Sequence, residues 1–127
     1  MSTQESVVRL SQVTKRFGQS VAVDQLNLDI SEGSFFSLLG PSGCGKTTSL
    51  RMIAGFETPD EGDVFIRGQN VTSIVPHKRD FAMVFQNFAL FPHMSVAENV
   101  AFGLKMTGVG KVEREQRARE ALAMVRL

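Results

Sequence analysis

Phe35-Phe36-Ser37-Leu38-Leu39 runs without a break into Gly40-Pro41-Ser42-Gly43-Cys44-Gly45-Lys46-Thr47. The first five residues are nearly all apolar, as in a strand covered on both faces within a parallel sheet. The next eight fit the pattern G-x-x-x-x-G-K-[ST]. Residues 46–54 contain no breaker and Gly55 follows, which predicts a helix with a glycine just past its end. Glycines let the backbone curl so that successive N–H groups line a concave anion site. The following helix aims its positive end at the same place. In such a loop Lys46 reaches the β- and γ-phosphates of a nucleotide, and the Thr47 hydroxyl joins the shell of Mg²⁺. Cys44 lies among the loop amides, near a helix N-terminus that lowers a thiol pKa. A reagent on that thiol should block nucleotide, but no catalytic role is assigned to it.

Upstream, Val7-Val8-Arg9-Leu10 opens one strand, and Leu26-Asn27-Leu28-Asp29-Ile30 alternates with the period of a half-buried second. Ser31-Glu32-Gly33-Ser34 supplies turn chemistry. Downstream, Asp63-Val64-Phe65-Ile66-Arg67 reads as a short strand between Gly62 and Gly68. Phe81-Ala82-Met83-Val84-Phe85 reads as another buried strand, ending at Gln86. Ser95-Val96-Ala97-Glu98 is a capping box. Residues 112–127 carry Ala118, Ala121, Leu122 and Val125 at helical spacing. Glu113 with Arg117 and Glu115 with Arg119 are i,i+4 pairs on that helix. No stop signal precedes Leu127, so the helix is expected to run to that residue.

The chain has 127 residues, 43% of them hydrophobic and 21% charged, an ordinary globular composition. Fourteen basic and 13 acidic side chains leave a net charge of +1, which offers no basic track for nucleic acid. One Cys forms no intrachain disulfide and fits a reducing compartment. The opening Met1-Ser2-Thr3-Gln4-Glu5-Ser6 is polar where a signal peptide would be basic and then apolar. No apolar run approaches the roughly 18 residues of a membrane helix. His77 and His93 have no identifiable ligand or base partner and read as ordinary polar residues.

Several segments in order resemble the N-terminal part of an ATP-binding subunit of an ABC transporter, over essentially the whole chain. Val13-Thr14-Lys15-Arg16-Phe17-Gly18 looks like that family's first-strand segment, whose aromatic stacks on adenine, here Phe17. By itself Phe17 reads more readily as a core residue. Val84-Phe85-Gln86 looks like the family's Q-loop, with Gln86 touching Mg²⁺ and the attacking water. Phe88-Ala89-Leu90-Phe91-Pro92-His93-Met94-Ser95-Val96 resembles the segment that faces the permease subunits of bacterial importers. The resemblance implies an ATP and Mg²⁺ site at Phe17, at Gly40, Pro41, Ser42, Gly43, Cys44, Gly45, Lys46, Thr47 and Thr48, and at Gln86, with Thr47 and Gln86 nearest the metal. It also implies a fold: an α/β P-loop NTPase (RecA-like) core with an N-terminal antiparallel β-subdomain and the start of a helical subdomain. Residues 1–86 would form the β-subdomain and partial core, and residues 87–127 the Q-loop exit and the beginning of the helical part. Partners implied are a second ATP-binding subunit and membrane permeases docking near Phe88–Met94, at the inner face of the cell membrane.

Hydrolysis in the family requires an Asp after four apolar residues, followed by a Glu that orients water. None of Glu57, Asp60, Glu61, Asp63, Asp80, Glu98, Glu113, Glu115 and Glu120 has that lead. Val21-Ala22-Val23-Asp24 has three apolar residues and lies upstream of the loop. The family's LSGGQ signature and switch histidine are also missing. The expectation is an incomplete domain that binds ATP without turnover, with residues 35–39 short of strand partners and the chain marginally stable or aggregation-prone. A non-catalytic nucleotide-binding fragment or regulatory module is the alternative reading. A DNA-repair type ABC ATPase would need a long insertion for which residues 46–86 leave no room, and kinase or GTPase readings rest on the loop alone. Residues 88–106 are most similar to spermidine/putrescine importer ATPases, and iron(III), sugar and sulfate importers share nearly the same residues.

Overall fold

The computed structural model describes residues 5–127, so the polar opening at residues 1–4 lies outside the described residues. The chain divides into two compact units, Met1–Met83 and Val84–Leu127.

The first unit is a four-stranded sheet in the order β2-β1-β3-β4 with one helix on it. Strands β1 (Ser6–Phe17) and β2 (Ser20–Ser31) form an antiparallel hairpin, longer than the alternation of residues 26–30 alone suggests. β3 (Glu61–Ile66) pairs antiparallel with the other edge of β1, and β4 (Gln69–Asn70) with β3. The hairpin register shifts near Gln12 and Gln25, which both adopt positive φ. There side chains take over the ladder. Asn27 Oδ1 accepts the Gln12 N–H at 2.9 Å, and the buried Thr14 hydroxyl accepts the Gln25 N–H at 3.0 Å. Helix α1 (Lys46–Ala54) follows the expected boundaries and ends on Gly55 in the left-handed region. It closes the core by setting Met52 among Leu10, Val13, Val23, Val64, Ile66 and Val71. Burying a side chain such as Leu10 or Met52 stabilises the fold by roughly 1.5–3 kcal/mol each.

Residues 35–39, expected as a buried strand, form none, and Phe35 is 97% and Leu39 91% exposed. The reason is non-local. A strand is held by hydrogen bonds to a neighbour, and among the described residues no backbone hydrogen bond joins 35–39 to another segment. Residues 81–85 likewise form no strand, and Val84 is mostly exposed.

The second unit is the pair α2 (Val96–Met106) and α3 (Lys111–Met124), meeting through the small buried residues Ala101 and Ala118. The capping box is present in both directions: the Glu98 N–H donates to Ser95 Oγ, and the Ser95 N–H donates to Glu98 Oε2 at 2.7 Å. That backbone bond holds the Glu98 carboxyl below its ordinary pKa. On α3, Glu113 pairs with Arg117 at 3.5 Å as expected, whereas Glu115 takes Lys111 rather than Arg119. The helix stops at Met124, short of Leu127. Arg126 adopts φ 62°, with the Leu127 N–H on Leu122 O and the Arg126 N–H on Ala123 O. This is a Schellman turn with arginine in the place glycine usually takes, so the composition carried no stop signal.

The exposed pair Phe35 and Leu39 is expected to drive self-association. Replacing both (Phe35→Ser with Leu39→Ser) should slow light scattering at a fixed protein concentration. Unchanged aggregation would show that other surfaces drive it.

Candidate functional site

The site is built where β2 meets the start of α1. Gly45 sits at φ 91° directly before the helix, and a Cβ on it would lie 2.5 Å from the Ala22 carbonyl and 3.1 Å from Val23 Cγ2. Any other residue would push the loop off the sheet. The helix that follows has no side-chain cap and no acid in its first turn. Its first amides and its positive dipole end are therefore left to an external anion.

Lys46 folds back over the loop. Its Nζ donates to Gly40 O at 2.5 Å and Pro41 O at 2.7 Å, and lies 3.2 Å from Cys44 Sγ. A Cβ on Gly40 would lie 2.6 Å from that sulfur, so a larger residue there would turn the Cys44 side chain away from Lys46. Residues Gly40–Cys44 are exposed, Thr47 is exposed, and Thr48 is half-buried on the first turn. Ser49 is different: it is buried and its hydroxyl donates to Gly45 O at 2.8 Å, so it braces the turn. Uncapped amides, an ammonium over the loop and an exposed threonine hydroxyl together fit a polyphosphate with a hard cation. Among the described residues no group of three or more His, Cys, Asp or Glu could hold a metal by itself. A cation at Thr47 would therefore draw most of its oxygen ligands from the polyphosphate and water.

The Cys44 thiol is exposed and its pKa lies below the ordinary thiol value, chiefly through the hydrogen bond with Lys46. Because that cation favours the thiolate, the sulfur is more nucleophilic near neutral pH than a free cysteine.

Phe17 ends β1 and is 48% exposed, so it is not the core residue its composition alone suggests. Lys15 Nζ stands 5.3 Å from its ring centroid, itself held by Thr58 O at 2.8 Å and Glu57 at 3.7 Å. Phe17 pairs with Ser20 across the hairpin, and Gly45 rests on Ala22 two residues further along β2. The sheet thus brings an exposed aromatic face and the phosphate loop to one end of one strand. Gln86 belongs to the second unit, exposed at the start of a turn, so the structure places it in a different body from Thr47. His93 lies edge-on to Phe91, with ring centroids 6.0 Å apart. Lys15 and Arg79 were not singled out from sequence. Lys15 has a signal in retrospect, lying two residues before Phe17 on the same strand face.

Alkylation of Cys44 should follow a pH profile shifted below that of a free thiol. Lys46→Ala should move the profile up and slow alkylation at neutral pH. An identical profile in the variant would mean that Lys46 does not set the thiol's acidity.

The sequence and the fold both have relatives. A family model described as ABC transporter matches residues 23–127. A spermidine/putrescine import ATP-binding protein, PotA, of Rubrobacter xylanophilus is 60% identical over 120 residues, covering 94% of this chain and 32% of that protein. The Fe(3+) ions import ATP-binding protein FbpC of Escherichia coli K12 is 56% identical over 125 residues, covering 98% of this chain and 36% of that protein. The chain spans about a third of the length of these relatives. Among solved structures, a dimeric post-hydrolysis ATP-binding cassette bound to ADP and Pi matches with a TM-score of 0.81 at 35% identity, over 94% of this chain and 57% of that one. On sequence and fold together, the chain belongs to the ABC transporter family.

Proposed function

We propose that this chain is the ATP-binding portion of an importer ATPase, taking Mg-ATP on residues 40–48. The observation that carries the reading is the uncapped N-terminus of α1 with Lys46 and the exposed Thr47 beside it. The amides of Gly43–Thr48 would bind the phosphates, and Lys46 would exchange the carbonyls of Gly40 and Pro41 for phosphate oxygens. Thr47 would help hold Mg²⁺, which neutralises phosphate charge when bound. Phe17, with Lys15 behind it, offers a face on which adenine stacks.

In the whole protein, two such subunits would sandwich nucleotide at the inner face of the cell membrane and drive permease subunits. Residues 88–94 suit the permease contact. Phe88 and Leu90 are largely exposed, and Phe88 and Ala89 both adopt positive φ. The second half of the segment is fixed, since Asn99 Nδ2 donates to Phe91 O, Met94 O and Ser95 O while Asn99 Oδ1 accepts the Phe91 N–H. An exposed apolar segment anchored at one end is suited to docking. Polyamine uptake is the cargo proposed, with Fe(3+), named for relatives of nearly equal identity, as the competing cargo. The near-neutral charge favours no nucleic-acid partner.

No acid in the chain has the apolar lead that places a hydrolytic carboxylate, so binding without turnover is expected. Displacement of a fluorescent ATP analogue, with phosphate release measured in parallel, tests this. Lys46→Ala should weaken Mg-ATP by at least about tenfold, some 1.4 kcal/mol, with no phosphate released by either protein. Steady phosphate release that Lys46→Ala abolishes would overturn the expectation of binding alone. Equal affinity in the variant would overturn the site.

A further inference from the structure

Arg79 is a buried cation whose hydrogen-bond partners are all main-chain carbonyls. It is 7% exposed, and among the described residues no carboxylate pairs with it. Its Nε donates to Ile74 O at 2.7 Å, one terminal nitrogen donates to both Met52 O and Ile53 O at 2.8 Å, and the other reaches Thr72 O at 3.4 Å. Burial pulls its pKa below the ordinary arginine value. A desolvated charge without a counter-ion is costly, and here the compensation comes from two segments, the carbonyls of Thr72 and Ile74 and those of Met52 and Ile53. Met52 and Ile53 belong to the last turn of α1, at the negative end of the helix dipole, and Met52 O, which also accepts the Gly55 N–H at 3.2 Å, shares its second lone pair with the guanidinium. Arginine suits the task because its planar fork reaches several acceptors at once.

The neighbouring residues leave that fork room and bring no acid to it. Asp80 turns the other way and pairs with Arg67 at 2.6 Å, and Arg67 also meets Glu32 at 3.7 Å. Gly55 leaves the guanidinium room, for a Cβ there would lie 2.6 Å from Nε and 2.7 Å from Cζ of Arg79. The other end of the same helix carries the phosphate loop, with Gly45 against Ala22. A helix of nine residues is a rod of about 14 Å, so freeing one end tilts the other.

We propose that Arg79 is a positioning residue for nucleotide binding: it pins the C-terminal end of α1 so that the first-turn amides, Lys46 and Thr47 stay aimed at the phosphates. This rests on the assignment of residues 40–48 as the ATP site.

The test compares affinity for a fluorescent ATP analogue among Arg79→Met, Arg79→Lys, Gly55→Ala and Val64→Ala, at a temperature where circular dichroism shows each protein folded. Val64 is a fully buried sheet residue whose truncation lowers stability while leaving every hydrogen bond at α1's ends in place. Arg79→Met should bind about tenfold more weakly, Arg79→Lys should recover part of the loss, and Val64→Ala should stay within about twofold of the parent. Gly55→Ala, which crowds the guanidinium while keeping it and also strains the left-handed cap of α1 at φ 85°, should weaken binding as Arg79→Met does, and parent-like affinity in it decides the matter if Arg79→Met does not fold. Parent-like affinity in Arg79→Met, or in Gly55→Ala where that variant decides, overturns the proposal, as does an equal loss in Val64→Ala. Absence of ATP binding by the parent protein would instead overturn the site on which the proposal rests.

Discussion

The placement of α1 is the constraint on which the first unit depends. Its N-terminus can lie against β2 because Gly45 has no Cβ to meet the Ala22 carbonyl. Its C-terminus is held by Arg79, and its last turn supplies Met52 to the core. The two ends use opposite solutions to the same problem of unpaired backbone groups. Donors at the start are left for an anion, and acceptors at the finish are taken by a cation from the protein itself. A helix fixed in this way can hold a binding loop in position without any part of the loop being buried.

The exposed loop and the exposed apolar segments follow from that arrangement. Residues 40–44 keep their curl through Lys46, whose ammonium bridges two loop carbonyls and sits beside the Cys44 sulfur. The same contact that shapes the loop therefore makes its thiol acidic. In the second unit, one amide side chain does comparable work. Asn99 gathers four backbone groups of residues 91–95 and fixes an otherwise irregular segment onto α2. Both units spend polar side chains on fixing irregular backbone that remains accessible.

Features set by local chemistry were legible in the sequence. The capping box at Ser95 and Glu98, the span of α1 and its terminal Gly55 all depend on residues within one or two turns, and all were found where expected. Residues 35–39 and 81–85 have the composition of buried strands but do not form them, because pairing is a property of neighbours and not of the segment. The end of α3 was misplaced because Arg126 adopts a conformation its type rarely signals. The phosphate loop was legible as a pattern, whereas its support was not. Lys78-Arg79-Asp80 reads as a solvated charge run, and nothing in it marks the middle residue as buried against a helix end.

Amide chemical-shift mapping on titration with Mg-ATP tests the central claim most directly. The account predicts that the largest shifts fall on the backbone N–H groups of Gly43–Thr48, with smaller changes at Phe17, and that they vanish in Lys46→Ala. Shifts centred elsewhere, or unaffected by the loss of Lys46, would contradict it.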